Sequence, residues 1–142
     1  MRQPPPVRRR RPKIQLLLPI MLLAASVVTA TALAQAPGIR RTVIQKGEVS
    51  VPGREAVVVR VELDKGATAG RHSHPGDEIG YVVEGESDLL VDGEDPRRIK
   101  AGESFIIPAG TVHDAVNVGA GMVKVVSVFV VEKGKPLASA AK

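Results

Sequence analysis

The chain has no cysteine among its 142 residues. That excludes a disulfide framework, a thiolate metal site, a thiol nucleophile and a lipid anchor attached through cysteine. Aromatic residues are almost as scarce: Tyr81, Phe105 and Phe129 are the whole set, and tryptophan is absent. A chain so poor in rings lacks the stacking platforms of a single-strand nucleic-acid binder. Acid is missing from the first 34 residues, where MRQPPPVRRRRPK at 1–13 holds six basic side chains. The formal net charge of +5 therefore belongs to this leader, because of 20 Lys+Arg only 14 lie beyond it, against 15 Asp+Glu, a balance of −1. The remainder has no positive field with which to hold a phosphate backbone, and nucleic acid is not an expected partner.

What the leader does contain is a secretory signal in outline. A basic n-region at 1–13 precedes an apolar h-region at 14–34, IQLLLPIMLLAASVVTATALA, and Ala32 and Ala34 frame an A-x-A cleavage site before Gln35. Residues 1–34 are thus expected to be a signal peptide, and the protein to be exported, periplasmic or secreted. The alternative is an uncleaved N-terminal membrane anchor, since the uncharged run is long enough to span a bilayer. Membrane contact is expected only through this segment. The arginine run also admits a twin-arginine route, which Pro12 and Lys13 weaken.

Residues 35–42 read as a linker. From Val43 onward the apolar residues alternate or form brief blocks, without helix signals or an internal repeat. Strands are expected over 42–46, 56–63, 78–83, 87–91, 97–100, 104–107, 113–117 and 123–131, rich in β-branched residues and separated by DKG, EGE, DGED, PAG and VGAG turns. The fold class is all-β: a single-domain sandwich or barrel over 43–132, with a flexible tail over 133–142. The last strand, VKVVSVFVV, is apolar on both faces except at Lys124 and Ser127, which suggests burial inside the barrel or against a second subunit. A homodimer is the expected assembly.

The stretch RHSHPGDE at 71–78 places His72 and His74 two apart, so that on a strand both leave the same face. Pro75 and Gly76 make a turn, and Glu78 opens the next strand with the parity to look back at the same point. His113 follows a second turn, Pro108-Ala109-Gly110, and could enter from a neighbouring strand. Three imidazoles and a carboxylate would suit Mn, Fe, Co, Ni, Cu or Zn better than Mg or Ca. The competing interpretation is four polar residues that share a turn region and bind nothing.

The spacings decide how these residues are grouped. Gly66, five residues, His72-Ser73-His74, three residues, Glu78, six residues, Gly85 forms one run; Gly102, five residues, Pro108-Ala109-Gly110, two residues, His113, three residues, Asn117 forms another. Together they resemble the two motifs of the cupin superfamily, with all ten fixed positions present, and the resemblance covers about residues 50–132. It implies a cupin β-barrel, or jelly roll, in which His72, His74, Glu78 and His113 ligate one divalent transition metal ion. It also implies that Gly66, Gly85, Gly102, Pro108 and Gly110 form turns and that Asn117 is structural.

Similar small cupins include dioxygenases, oxalate-handling enzymes, isomerases and cyclases. The resemblance therefore implies a metal-dependent oxidoreductase or decarboxylase acting on a small carboxylate or phenolic substrate, with Glu78 able to act as a base. The alternatives are a non-catalytic small-molecule or metal-binding module and a structural dimer. No helix-turn-helix pattern points to a transcription factor. Asp114 and Arg71 are expected to be solvated, Tyr81 to pack outside the barrel or at a dimer seam, and Arg97, Arg98 and Lys100 to form a charged edge.

Overall fold

The computed structural model describes residues 37–141. The expected signal peptide at 1–34 lies outside the described residues. Ten strands and no helix make up the described chain: β1 Ile39–Glu48, β2 Arg54–Leu63, β3 His72–Ser73, β4 Gly76–Glu84, β5 Glu86–Val91, β6 Arg97–Lys100, β7 Ser104–Ile107, β8 His113–Asn117, β9 Val123–Glu132 and β10 Ser139–Ala140. They form two antiparallel five-stranded sheets, ordered β1-β2-β9-β4-β7 and β10-β3-β8-β5-β6.

Period-two alternation sends one side of each sheet into a shared core. Ile39, Leu63, Val82, Phe105, Ile107, Val123 and Val125 of the first sheet meet Leu89 and Ile99 of the second. A smaller cluster, Val57, Val59, Phe129 and Val131, continues this layer along the first sheet. Strand β9 lies between β2 and β4 and alternates without a break between buried and half-buried residues, as expected for a central strand. The outer face of this sheet carries an apolar row amid charged residues: Ile79 pairs with both Val128 and Ile106, and Val128 with Val58.

Two glycines allow close approaches that align the strands. Gly85 has φ +80°, and a Cβ there would lie 2.6 Å from the Met122 carbonyl. At Gly76 a Cβ would lie 2.0 Å from the Val130 carbonyl, so β4 packs closely on β9 just before Glu78. Asn117 joins the two sheets: its Nδ2 donates to the carbonyls of Leu63, Asp64 and Gly121 at 3.0, 3.0 and 2.8 Å, and its Oδ1 accepts from Gly119 N at 3.0 Å.

The structure departs from the expected organisation at both ends. Strand β1 begins at Ile39, inside the expected 35–42 linker, because Ile39 and Arg41 face inward opposite Leu63 and Val61 of β2. At the other end, the 133–142 segment carries β10, which pairs Ser139 with Ser73 and Ala140 with His72. Leu137 packs on the Phe129 cluster, so this segment is held where a frayed tail was expected. The two strands without a sequence signal, β3 and β10, are two residues each and pair with one another.

Candidate metal centre

Four strands bring the site residues together. His72 lies on β3 and pairs directly with His113 of β8. His74 ends the segment after β3, and the turn through Pro75 delivers Glu78 on the inner face of β4, opposite Phe129 of β9. His74, Glu78 and His113 are buried and His72 is half-buried. The ligating nitrogens of the three histidines lie within 4.8 Å of one another and could hold a metal ion. Ring centroids are 4.8 Å apart for His72 and His74, 4.4 Å for His72 and His113, and 5.2 Å for His74 and His113.

Each imidazole is oriented by its other nitrogen. Nδ1 of His72 lies 2.6 Å from the Gly70 carbonyl, that of His74 2.8 Å from the Leu137 carbonyl, and that of His113 3.0 Å from the Thr111 carbonyl. A carbonyl can only accept, so each Nδ1 carries a proton, and a ring in its neutral form presents an Nε2 lone pair. Glu78 reaches two of these nitrogens: its Oε2 is 3.1 Å from His113 Nε2 and 3.1 Å from His74 Nε2. Ser127 Oγ donates to Oε1 at 2.7 Å.

Lone pairs thus face lone pairs in a buried space, which a proton or a cation must relieve. His74 Nε2 is buried without a hydrogen-bond partner. Burial lowers the pKa of His72 to about 4, so this ring is neutral at neutral pH. Burial also opposes charge on Glu78, but its close contacts with His113 and His74 and the bond from Ser127 outweigh it and keep the carboxyl below its usual range. Burial likewise works against His113, yet its contacts with Glu78 and the Thr111 carbonyl raise its pKa. Three convergent imidazole lone pairs beside an anionic carboxylate fit a divalent transition metal, and their Nδ1 anchors are the outer contacts that such ligands use.

Beside these groups lies a pocket of about 50 Å³, walled by Val61, Leu63, Leu89, Phe105 and Val125. Its polar lining comes from His72, Glu78, His113, Ser127 and Arg41. Ser127 and Arg41 were not among the expected site residues. A single hydroxyl at inward parity in the apolar β9 was the available signal for Ser127; Arg41 was hidden in the expected linker. The remaining candidates lie elsewhere. Asp114 accepts from Thr68 Oγ1 at 2.8 Å, exposed Arg71 pairs with Asp92 at 2.8 Å, and Tyr81 projects from the outer face. Arg97, Arg98 and Lys100 sit on the edge strand β6, where Arg98 pairs with Asp88.

Comparison with known proteins places this geometry among relatives. A family model described as a cupin domain matches residues 59–129. The HTH-type transcriptional regulator PuuR of Escherichia coli is 36% identical over 77 residues, 54% of this chain and 41% of that protein. The chain thus spans about two fifths of the length of the curated relatives it matches first. A conserved double-stranded beta-helix protein of Klebsiella pneumoniae shares the fold at TM-score 0.63 and 24% identity, covering 75% of this chain and 86% of that one. An oxalate oxidase solved with the substrate analogue glycolate is 28% identical at TM-score 0.53, over 66% of this chain and 58% of the other.

Proposed function

The chain belongs to the cupin domain family, and from that premise we propose that it is an exported metal-dependent enzyme of the dioxygenase or decarboxylase type acting on a small carboxylate or phenolic substrate. The observation that carries this reading is the convergence of three anchored imidazoles and Glu78 beside one pocket. The related oxalate oxidase supports a small carboxylate. In this reading His72, His74, Glu78 and His113 hold one ion of Mn, Fe, Co, Ni, Cu or Zn. The ion, when bound, supplies Lewis acidity toward a carboxylate or phenolate oxygen and, if redox-active, electron transfer.

The chain's own groups do the rest. Ser127 holds Oε1 of Glu78, so a base role for Glu78 falls to Oε2 when that oxygen is released from His74 and His113, which it approaches at 3.1 Å. The apolar walls limit water around that transfer and strengthen the charge interactions within it. Residues 1–34 direct export and are then removed, leaving a periplasmic or secreted protein. The outer apolar row of Val58, Val128, Ile79 and Ile106 seats a second copy in a homodimer. The match to an E. coli regulator favours a second reading, a module that captures a small molecule without turning it over.

The test is metal analysis of the protein purified without added metal or chelator, beside His72→Ala and His113→Ala. About one transition-metal ion per chain, lost in both variants, is the expected result. Oxygen uptake and carbon dioxide release are then screened against small carboxylates and phenols. Equal metal content in all three proteins overturns the ligand assignment, whereas stoichiometric metal with binding but no turnover favours the capture module.

A further inference from the structure

Two consecutive arginines on β1 have opposite surroundings. Arg40 points to the outer face, where Glu62 and Asp64 meet its guanidinium at 3.5 and 3.3 Å. Arg41 points inward, level with its cross-strand partner Val61, and lines the same pocket as His72, Glu78, His113 and Ser127. Its Nη2 donates to the Ala69 carbonyl at 2.9 Å, which fixes the guanidinium in place and leaves most of its N–H donors uncommitted.

No carboxylate among the described residues forms an ion pair with Arg41. Glu78 and Asp114 are near enough to act on its charge, but their oxygens are bound elsewhere. Ser127 and His113 take those of Glu78, while Thr68 Oγ1 and Ala115 N take those of Asp114. A half-buried cation without an acid partner is costly in an apolar wall. It is also the group best shaped to accept a planar carboxylate through two N–H bonds.

We propose that Arg41 is the anchor for an anionic ligand in this pocket, holding its carboxylate while a second oxygen of the same small molecule faces the three histidines. The inference rests on the metal-dependent reading above and narrows its substrate class to compact hydroxy-, keto- or dicarboxylates in preference to simple phenols. A simple phenol presents one oxygen and leaves Arg41 unpaired. The pocket is small, about 50 Å³, which favours a compact ligand.

Titration calorimetry of the full chain tests this, with glycolate and its neutral amide, glycolamide, as probes. Wild type, Arg41→Gln and Arg41→Lys are each titrated with and without one equivalent of cobalt(II). Glycolate is expected to bind about 10- to 100-fold more weakly to Arg41→Gln, the range for losing a charge-assisted hydrogen bond. Arg41→Lys falls between, because it keeps the charge and loses the fork, and glycolamide does not distinguish the proteins. An unchanged cobalt spectrum in Arg41→Gln shows that the histidine cluster is intact. Equal glycolate affinity in wild type and Arg41→Gln, or no glycolate binding to wild type in either state, overturns the proposal. Wild type that takes up no cobalt defeats the metal-centre reading separately, and the metal-free titrations still decide the role of Arg41.

Discussion

The two ends of the core are both buried and differ in chemistry. At one end Val82, Val123, Leu63 and Ile99 fill the space between the sheets, all at 1% exposure or less. At the other end, a few residues along the same strands β4 and β9, the inward positions include Glu78 and Ser127 beside Phe129, with His74 and His113 next to them. The hydrocarbon end gains free energy by leaving water, about 25 cal/mol for each Å² of apolar surface. The polar end gains nothing comparable, and its carboxylate and imidazoles are tolerable only because each is hydrogen-bonded or poised for a cation. One end of the domain holds the fold together and the other uses the stability so obtained to keep reactive groups dry and aligned.

The largest expected effect would come from the hydrocarbon end. Ile99→Ala is expected to lower unfolding free energy by about 2–5 kcal/mol, as for other large-to-small changes in a packed core. Denaturant unfolding measures the loss, and metal content at a temperature where the variant stays folded should equal that of wild type. Loss of metal in this variant would break the division between the two ends.

Removing metal from the polar end comes next. Free metal at about 100 times its Kd stabilises a folded protein by about 2.7 kcal/mol, so chelation should lower the melting temperature correspondingly. The same decrement is expected in Ile99→Ala, because sites that share no partner add. A decrement that differs between the two proteins would show that the ends are coupled.

The smallest stability change is expected for Ser127→Ala, which leaves the ligands in place and removes the hydroxyl that holds Glu78. Metal affinity should fall about 10- to 100-fold, as for other outer contacts of a metal ligand, while stability of the metal-free protein falls by about 1.5 kcal/mol, the lower end of the range for a hydrogen bond to a charged group. Metal titration beside denaturant unfolding checks both. Wild-type affinity in this variant would make Ser127 a packing residue.

Much of the fold was legible along the chain, for a local reason. Strands β6, β7 and β8 have the expected limits because alternation and the flanking Gly, Pro and Asp turns are written in the residues themselves. The grouping of the three histidines with Glu78 was legible because the spacing of a motif survives without knowledge of the pairing. Strands β3 and β10 could not be read: a two-residue strand has no periodicity, and these two exist by pairing with each other across more than sixty positions of sequence.

Arg41 shows the same limit at the site. As sequence it is the second of two arginines in a short polar stretch, with nothing to separate it from Arg40. The register of β1 on β2 sends Arg40 to the acids of the outer face and Arg41 to the pocket. Leu137 is a third case, a residue of the expected flexible tail whose carbonyl orients His74.

By itself, then, the order of residues determined the all-β class, the turns and the identity of the four candidate ligands, because side-chain parity and motif spacing are properties of neighbours. Only the tertiary structure decided that His72 and His113 are cross-strand partners, that Ser127 and Leu137 hold two of the site groups, and that Arg41 faces the pocket. Those are distances between residues far apart in sequence, and they exist only once the sheets have paired in register and closed on a common core.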